Sequence, residues 1–573
     1  MSLVMGLHDG HNASAALLEN GRVVAILQEE RLTRVKNQGD IPARAAAEIL
    51  ADRADAGNAF PVALNGNYIR HGEWRREAVV ASYEGSGGRA AAVKSRLKGT
   101  WVDRSYQRRR AAERERALAG AGFAPDRLEP VEHHLAHAAA AYYGSGWTEG
   151  KTLVLTCDGS GDRLCATVNV GENGVLKRLA AVAEEDSIGR VYSAVTHQLG
   201  LLPLEHEYKV MGMAPYVGDA ERARPHAGLF SDLFEFTKNP MVWRRRRGVP
   251  PMYASGAFFR RLLHRRRFDH LCAGVQLFVE EMLIRWVRNC VQATGVRRVV
   301  CGGGVFMNVK ANGSLLALPE VEQLFVFPSC GDEGNSLGAA YWAQARRDVA
   351  AGRPVSARPV GALYFGRPID DAGAERLLGA LPASEGIRFR READVERTAA
   401  EALAAGEIVA RAKGPAEFGA RALGNRSILA RPDRPEVVRV INEMIKSRDF
   451  WMPFAPSVLA ERAGDYYVKP KPMTSPYMMM AFPSRPEARA KFPAAMHPYD
   501  FTARPQEVTA EHNPDYHRLL KHYEARTGEG IVLNTSFNIH GEPIVHTAAD
   551  ALDVFRRSGL RRMALGNWWV WKE

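Results

Sequence analysis

The string VEHHLAHAAAAYYGSG, residues 131–146, places His133, His134 and His137 within five positions. In a helix, His133 and His137 stand one turn apart on the same face. That is the arrangement by which a helix offers two imidazole nitrogens to one metal ion. One histidine packed in a core with the others facing water is the competing reading of the same spacing. A second feature is RRVVCGGGVFMN, residues 297–308, where an apolar strand drops into three glycines and backbone can approach a phosphate or a base closely. Further along, GEIVARAKGPAEFGARALGNRSILA (406–430) and GIVLNTSFNIHGEPIV (530–545) set cationic and small polar groups on loops beside strands. Such loops suit a polyanion such as ATP together with a second phosphate.

These residues need strands and loops to hold them, and the sequence supplies two sets with one grammar. Residues 3–30 read as apolar strand, Asp-Gly, apolar strand, Asn-Gly, apolar strand, and residues 152–184 repeat that order. In each, Asn-Gly predicts a tight hairpin of the primed type. Two copies predict a duplicated α/β domain with a nucleotide or phosphate between its halves. QLFVFPSCGDEGNSLGAAYWAQARR (323–347) reads as strand, acidic glycine loop and helix, and PEVVRVINEMIKSR (435–448) as a further helix. The proline- and glycine-containing stretch near 350–360 reads as a linker to a second α/β region.

At 573 residues the chain is too long for one core, so two or more domains are expected. The start lacks a basic region followed by a long apolar run, and no stretch reaches a membrane span, so a cytoplasmic protein is expected, with no membrane partner. Six cysteines (157, 165, 272, 290, 301, 330) form no CxxC pair, which argues against a disulfide frame or zinc knuckle. The net charge of +12 is concentrated in runs at 108–116, 244–247 and 260–267. No aromatic-interleaved recognition motif accompanies them, which argues against nucleic acid as the partner.

Taken together, DGHNASAALLENG, EERLTRVK, HHLAHAAAAYY, DGSGD, EYKVMGMAPY, GGGVFMN, GDEGNSLGAA, EFGARALGNRS and LNTSFNIHGEPIV resemble the O-carbamoyltransferases that tailor antibiotics, toxins and nodulation factors. The motifs run in order over nearly the whole chain; residues 60–125 and 217–270 match poorly and are where acceptor-specific structure is expected. The resemblance implies an actin/sugar-kinase-like N-terminal domain over 1–355, similar to threonylcarbamoyl transferases. It further implies a YrdC-like α/β domain over 356–573 that forms carbamoyl-AMP from carbamoyl phosphate and ATP with Mg2+. The carbamoyl group then passes to a hydroxyl of a small-molecule natural product, a sugar or nucleoside among the options. The oligomeric state is left open, a homodimer included.

The resemblance also implies roles residue by residue. His133, His137, Asp158 and Asp332 match ligands of a divalent metal, Fe(II) or another transition ion, and His134 falls on a different face. Asp9 and His11 match positions beside the transfer site, where a carboxylate-oriented imidazole takes the proton of the acceptor alcohol. Lys209 matches a position that neutralises phosphate or orients the carbonyl; a lysine on a solvated loop is the plainer account of it. Gly302, Gly303, Gly304 and Asn308 match contacts to the adenosine. Arg421, Arg426, Lys446 and Arg504 match cations around the phosphates, and Ser536 and Asn538 match polar contacts to carbamoyl phosphate or nucleotide. Two rival functions fit parts of the pattern: a tRNA threonylcarbamoyladenosine-type modification enzyme, and a sensor that binds metal and nucleotide without turnover.

Overall fold

The two copies of the Asp-Gly and Asn-Gly pattern build two five-stranded sheets of one connectivity. In the first, β1 (Leu3–His8), β2 (Ser14–Glu19), β3 (Arg22–Gln28), β4 (Val62–Asn65) and β5 (Leu128–Val131) lie in the order β3-β2-β1-β4-β5. In the second, β6 (Lys151–Gly161), β7 (Leu164–Glu172), β8 (Val175–Ala183), β11 (Arg298–Gly302) and β12 (Gln323–Val326) lie in the order β12-β11-β6-β7-β8. A short ribbon of β9 (Phe234–Phe236) and β10 (Trp243–Arg245) falls between β8 and β11 in sequence. Each sheet starts with an antiparallel meander and adds two parallel strands beside its first strand. The hairpins turn at Asn20 and Gly21 (φ 50° and 77°) and at Asn173 and Gly174 (φ 50° and 82°). Positive φ at both central residues is the primed geometry that matches strand twist. The duplication read from the sequence is thus a duplication of topology, of the actin/sugar-kinase type.

This computed structural model describes residues 2–51, 60–67, 76–85, 98, 100–446 and 449–573, without the side chains of Arg76, Ala220, Met444 and Lys446. The chain forms two compact units. One comprises Met1–Glu29 and Asn37–Val360; the other comprises Glu30–Lys36 and Gly361–Glu573. The helix Asn335–Ala350 is followed by residues without regular structure up to the strand that starts at Tyr364, where the linker was expected. The sequence boundary at 355/356 falls shortly before the last residue of the first unit, and it contains no sign of the excursion over 30–36.

In the first unit, the helix His133–Ser145 is buried on nearly all sides by its alanines and tyrosines and packs against β6, β11 and the helix Asn335–Ala350. A helix apolar all round belongs in a core. Its start is fixed by Glu132, whose carboxylate accepts from the amides of His134 and Leu135 at 3.0 and 2.9 Å, and its end by Gly146 at φ 74°. All six cysteines are buried thiols without disulfides.

The second unit is an α/β domain around an eight-stranded mixed sheet. Its strands lie in the order Ile387–Arg391, Trp568–Lys572, Arg562–Leu565, Val409–Ala412, Arg426–Ala430, Ile531–Ser536, Ala455–Leu459, Gln506–Val508. Successive side chains point to opposite faces. Ile428 and Leu533 therefore join a core with Phe555 and Val554, while Leu429 and Val532 join another with Leu403, Leu519 and Tyr523. Both faces are covered, as a sheet with long apolar runs requires. The segment read as one helix over 435–448 is an α-helix over Glu436–Val440 that widens into a π-helix over Ile441–Lys446.

Candidate functional site

Four side chains from three parts of the first unit converge on one point. His133 and His137 come from the first turns of their helix, Asp158 from β6, and Asp332 from the loop after β12. One ligand atom from each lies within 4.8 Å of all the others. The Nε2 atoms of His133 and His137 are 3.1 Å apart. His133 Nε2 lies 3.4 Å from Asp158 Oδ2 and 3.5 Å from Asp332 Oδ1, and His137 Nε2 lies 3.3 Å from that same Oδ1. Ligand bonds of about 2.0–2.2 Å at tetrahedral or octahedral angles separate donors by about 3.0–3.5 Å, so these spacings suit one ion.

The electrostatics point the same way. Burial disfavours the imidazolium of His133, but the carboxylates of Asp332 and Asp158 outweigh it and raise its pKa to about 9. Burial pushes the two aspartates up, yet the facing histidines hold both below the ordinary carboxylate range. Four donors that gather a positive charge among themselves also suit a cation, and binding one releases the proton. Asn335 adds a further sign: its Nδ2 lies 3.1 Å from His137 Nε2, while its buried Oδ1 has no partner among the described residues. A half-turn of that amide directs the carbonyl oxygen at the same point. Nitrogen and carboxylate donors suit iron, manganese or zinc, and this donor set does not choose among them.

The glycine motifs make room for this cluster. A Cβ on Gly161 would fall 2.1 Å from the ring of His133, and one on Gly302 would fall 2.7 Å from the carbonyl oxygen of His137. Gly303, at φ 100°, passes over the carbonyl of Cys157, and the Gly304 amide donates to Asp158 Oδ1 at 3.0 Å. Asn308 caps the helix Val309–Leu316 through Ala311 N and exchanges two hydrogen bonds with Gln276. The run expected to meet adenosine thus also has roles inside the protein, close approach to the cluster and helix capping.

Asp9 has a partner that the sequence reading did not name. Both of its oxygens are held by Arg114, at 2.7 and 2.6 Å, and the same guanidinium donates to the carbonyls of Asn65 and Gly66. Asp9 is fully buried, so its charge requires this partner, and the pair fixes the loop that carries His11. His8, which the sequence reading passed over, sits closer to the cluster. Its Nδ1 faces Asn65 Nδ2 at 2.8 Å, its Nε2 lies 2.9 Å from the carbonyl of His11, and Nε2 is 3.9 Å from Asp332. Burial lowers its pKa, and the two contacts place the single proton on Nε2. His11 is half-buried on the same loop. His134 is buried, with Nδ1 2.9 Å from Thr156 Oγ1, and burial holds it neutral. Lys209 is no solvated loop lysine: it is buried on the helix Glu207–Met213.

In the second unit Arg426 is wholly buried and spends its guanidinium on carbonyls of Arg367, Lys413, Gly414, Asn425 and His546. An arginine so engaged organises the loops that carry the other cationic residues, a role beyond the phosphate contact expected of it. Ser536 donates to Asn538 Oδ1 at 2.6 Å, and Asn538 Nδ2 donates to the carbonyls of Ile539 and Glu542. Arg421 and Arg504 are half-buried on loops. The side chain of Lys446 lies outside the described residues, as do Arg448 and much of the stretch 65–74. Within the basic runs, Arg244 pairs with Glu235 and Arg245 with Glu185 and Asp186. No helix among the described residues is long and apolar enough to cross a membrane.

Comparison with known proteins agrees with the two units. Nodulation protein NolNO of Sinorhizobium fredii is 32% identical, over 98% of this chain and 79% of its own. Nodulation protein NolO of Bradyrhizobium diazoefficiens is 33% identical, over 77% of this chain and 79% of its own. Among solved structures, a full-length HypF is similar at 13% identity and a TM-score of 0.34, over 61% of this chain and 46% of that one. Residues 4–341 match the family described as carbamoyltransferase N-terminus and residues 400–572 the one described as carbamoyltransferase C-terminus. The chain belongs to the carbamoyltransferase family and is a carbamoyltransferase enzyme.

Proposed function

We propose that this enzyme transfers a carbamoyl group from carbamoyl phosphate to a hydroxyl of a small-molecule natural product, at the expense of ATP. In the first stage carbamoyl phosphate, ATP and one water give carbamoyl-AMP, phosphate and pyrophosphate. In the second the acceptor oxygen forms a bond to the carbamoyl carbon, AMP leaves, and the hydroxyl proton goes to a base. The observation that carries this reading is the buried cluster of His133, His137, Asp158 and Asp332 inside a carbamoyltransferase N-terminal domain. A divalent ion held there, Fe(II) or a chemically similar one, supplies a Lewis acid able to polarise a carbonyl or an alcohol. His11 is the residue proposed to take the proton, because it follows the loop anchored by the Asp9–Arg114 pair. Lys209 is proposed to face the phosphate or carbonyl. Adenylation is proposed for the C-terminal unit with Mg2+, where Arg421, Lys446 and Arg504 meet the charge that grows as pyrophosphate leaves.

The test is to incubate the purified protein with labelled carbamoyl phosphate, ATP and Fe(II) against a panel of polyol, sugar and nucleoside acceptors. The reading expects stoichiometric AMP, pyrophosphate and an O-carbamoylated product. Label that appears in product without ATP consumption contradicts it.

A further inference from the structure

The motif EERLTRVK has no place in the chemistry so far, and the structure gives it one. Residues Glu30–Lys36 belong to the C-terminal compact unit, although the chain on either side of them belongs to the other. Arg31 is buried, and its Nη2 donates to the carbonyl of Gly419 at 2.5 Å. Arg34 takes a left-handed backbone at φ 60°, rare for a residue with a side chain. From there its Nη1 and Nη2 donate to the carbonyls of Ile544 and Pro543 at 2.8 and 3.0 Å. Its guanidinium also lies 3.9 Å from Glu542 and 3.7 Å from Asp550, the carboxylate that accepts from the amides of His546 and Thr547.

These two contacts fall on the two loops that matter. Gly419 precedes Arg421 in the loop EFGARALGNRS. Pro543 and Ile544 close the loop that begins at Ser536 and Asn538. That second loop is held from within by Asn538 to the carbonyl of Glu542, by Val545 N to the carbonyl of Phe537, and by Arg426 to the carbonyl of His546. Arg34 supplies the outer side of the same clasp. We propose that Arg31 and Arg34 are positioning residues of the adenylating site, and that the segment 30–36 is a part of the C-terminal domain's machinery supplied from the N-terminal end of the chain. A charged donor on a backbone carbonyl is among the stronger hydrogen bonds, and a fork on two adjacent carbonyls fixes their orientation as well as their place. The inference rests on the proposed adenylation for its kinetic consequence.

The experiment compares full-length Arg31→Ala, Arg34→Ala and Arg34→Lys with the parent protein. Two readouts are taken: pyrophosphate release from ATP as a function of carbamoyl phosphate, and amide hydrogen exchange. The expected kinetic result is a KM for carbamoyl phosphate raised about tenfold or more in both alanine variants, with Arg34→Lys in between. Exchange is expected to quicken about tenfold over 537–546 in Arg34→Ala and over 418–423 in Arg31→Ala, with 133–145 unchanged. Unchanged exchange in those loops overturns the inference, and so does an unchanged KM with kcat falling only as the melting temperature falls. A parent protein that releases no pyrophosphate refutes the adenylation reading instead, and the exchange data still decide whether the clasp exists.

Discussion

His137 stands at the centre of the cluster, within 3.1 to 3.3 Å of its donors on both sides, so its removal is the most direct assault on the metal site. His137→Ala is expected to reduce bound transition metal from about one per chain to a small fraction, measured by elemental analysis of protein purified in parallel. Retained metal at the parent level refutes the ligand set. Arg426 presents a different case, because its wholly buried guanidinium satisfies five carbonyls, of which those of Asn425 and His546 are bonded out of reach of solvent. Arg426→Leu is expected to destabilise the C-terminal unit by about 3 kcal/mol or more in urea unfolding, since each stranded buried carbonyl costs about 1–3 kcal/mol. A loss of activity with unchanged stability would instead point to Arg426 as a phosphate contact.

At the scale of elements, the most instructive network joins the helix Val395–Ala404, the strand Val409–Ala412 and the helix Pro514–Thr527. Glu396 is 1% exposed and accepts from Arg411, Lys413 and Arg518 at 3.4, 2.7 and 2.9 Å. Burial alone would raise its pKa, but the three cations outweigh it and hold the carboxyl below its ordinary value of 4.5. The folded state therefore binds this proton less readily than the unfolded chain. The stabilisation is complete above about pH 4.5 and is lost as pH falls through the lower folded value. Glu396→Gln is expected to flatten the fall of unfolding free energy between about pH 5 and 3 by up to one proton's worth of slope. An unchanged slope would show that the acid sensitivity arises elsewhere.

The same scale explains what the sequence disclosed. The HxxxH pair was legible because the helical period puts both ligands in one short string. The Asn-Gly hairpins were legible because only a few residues tolerate two successive positive φ values. Asp158 and Asp332 came only through the resemblance, since the parallel pairing of β6 with β11 and β11 with β12, which brings their loops side by side, has no local signature. Arg114 was lost among neighbouring exposed arginines. Its spacing to Leu118, the other buried residue of the helix Trp101–Gly120, was the available signal. Asp9 was legible in the string HDGHN, but its bond to Arg114, 105 residues away, has no local signature. His8, at the end of β1, was the residue that turned toward the cluster.

For the whole molecule, the two units predict a separation of effects. Chelation of the metal is expected to lower the melting transition of the N-terminal unit by roughly 5 °C, as a tightly bound ion contributes about 4 kcal/mol at a thousandfold excess over its Kd. Once the chelator is removed and Mg2+ restored, carbamoyl-phosphate-dependent pyrophosphate release is expected to persist, because the residues proposed for adenylation lie in the other unit. The measurement that tests the account most directly compares His11→Ala with the parent protein for pyrophosphate release and for carbamoylated product in one reaction. The account predicts that pyrophosphate release stays near the parent rate while product falls by roughly a hundredfold or more, the usual scale for a lost general base. Equal loss of both in a well-folded His11→Ala protein would contradict two separate sites and place both reactions in one.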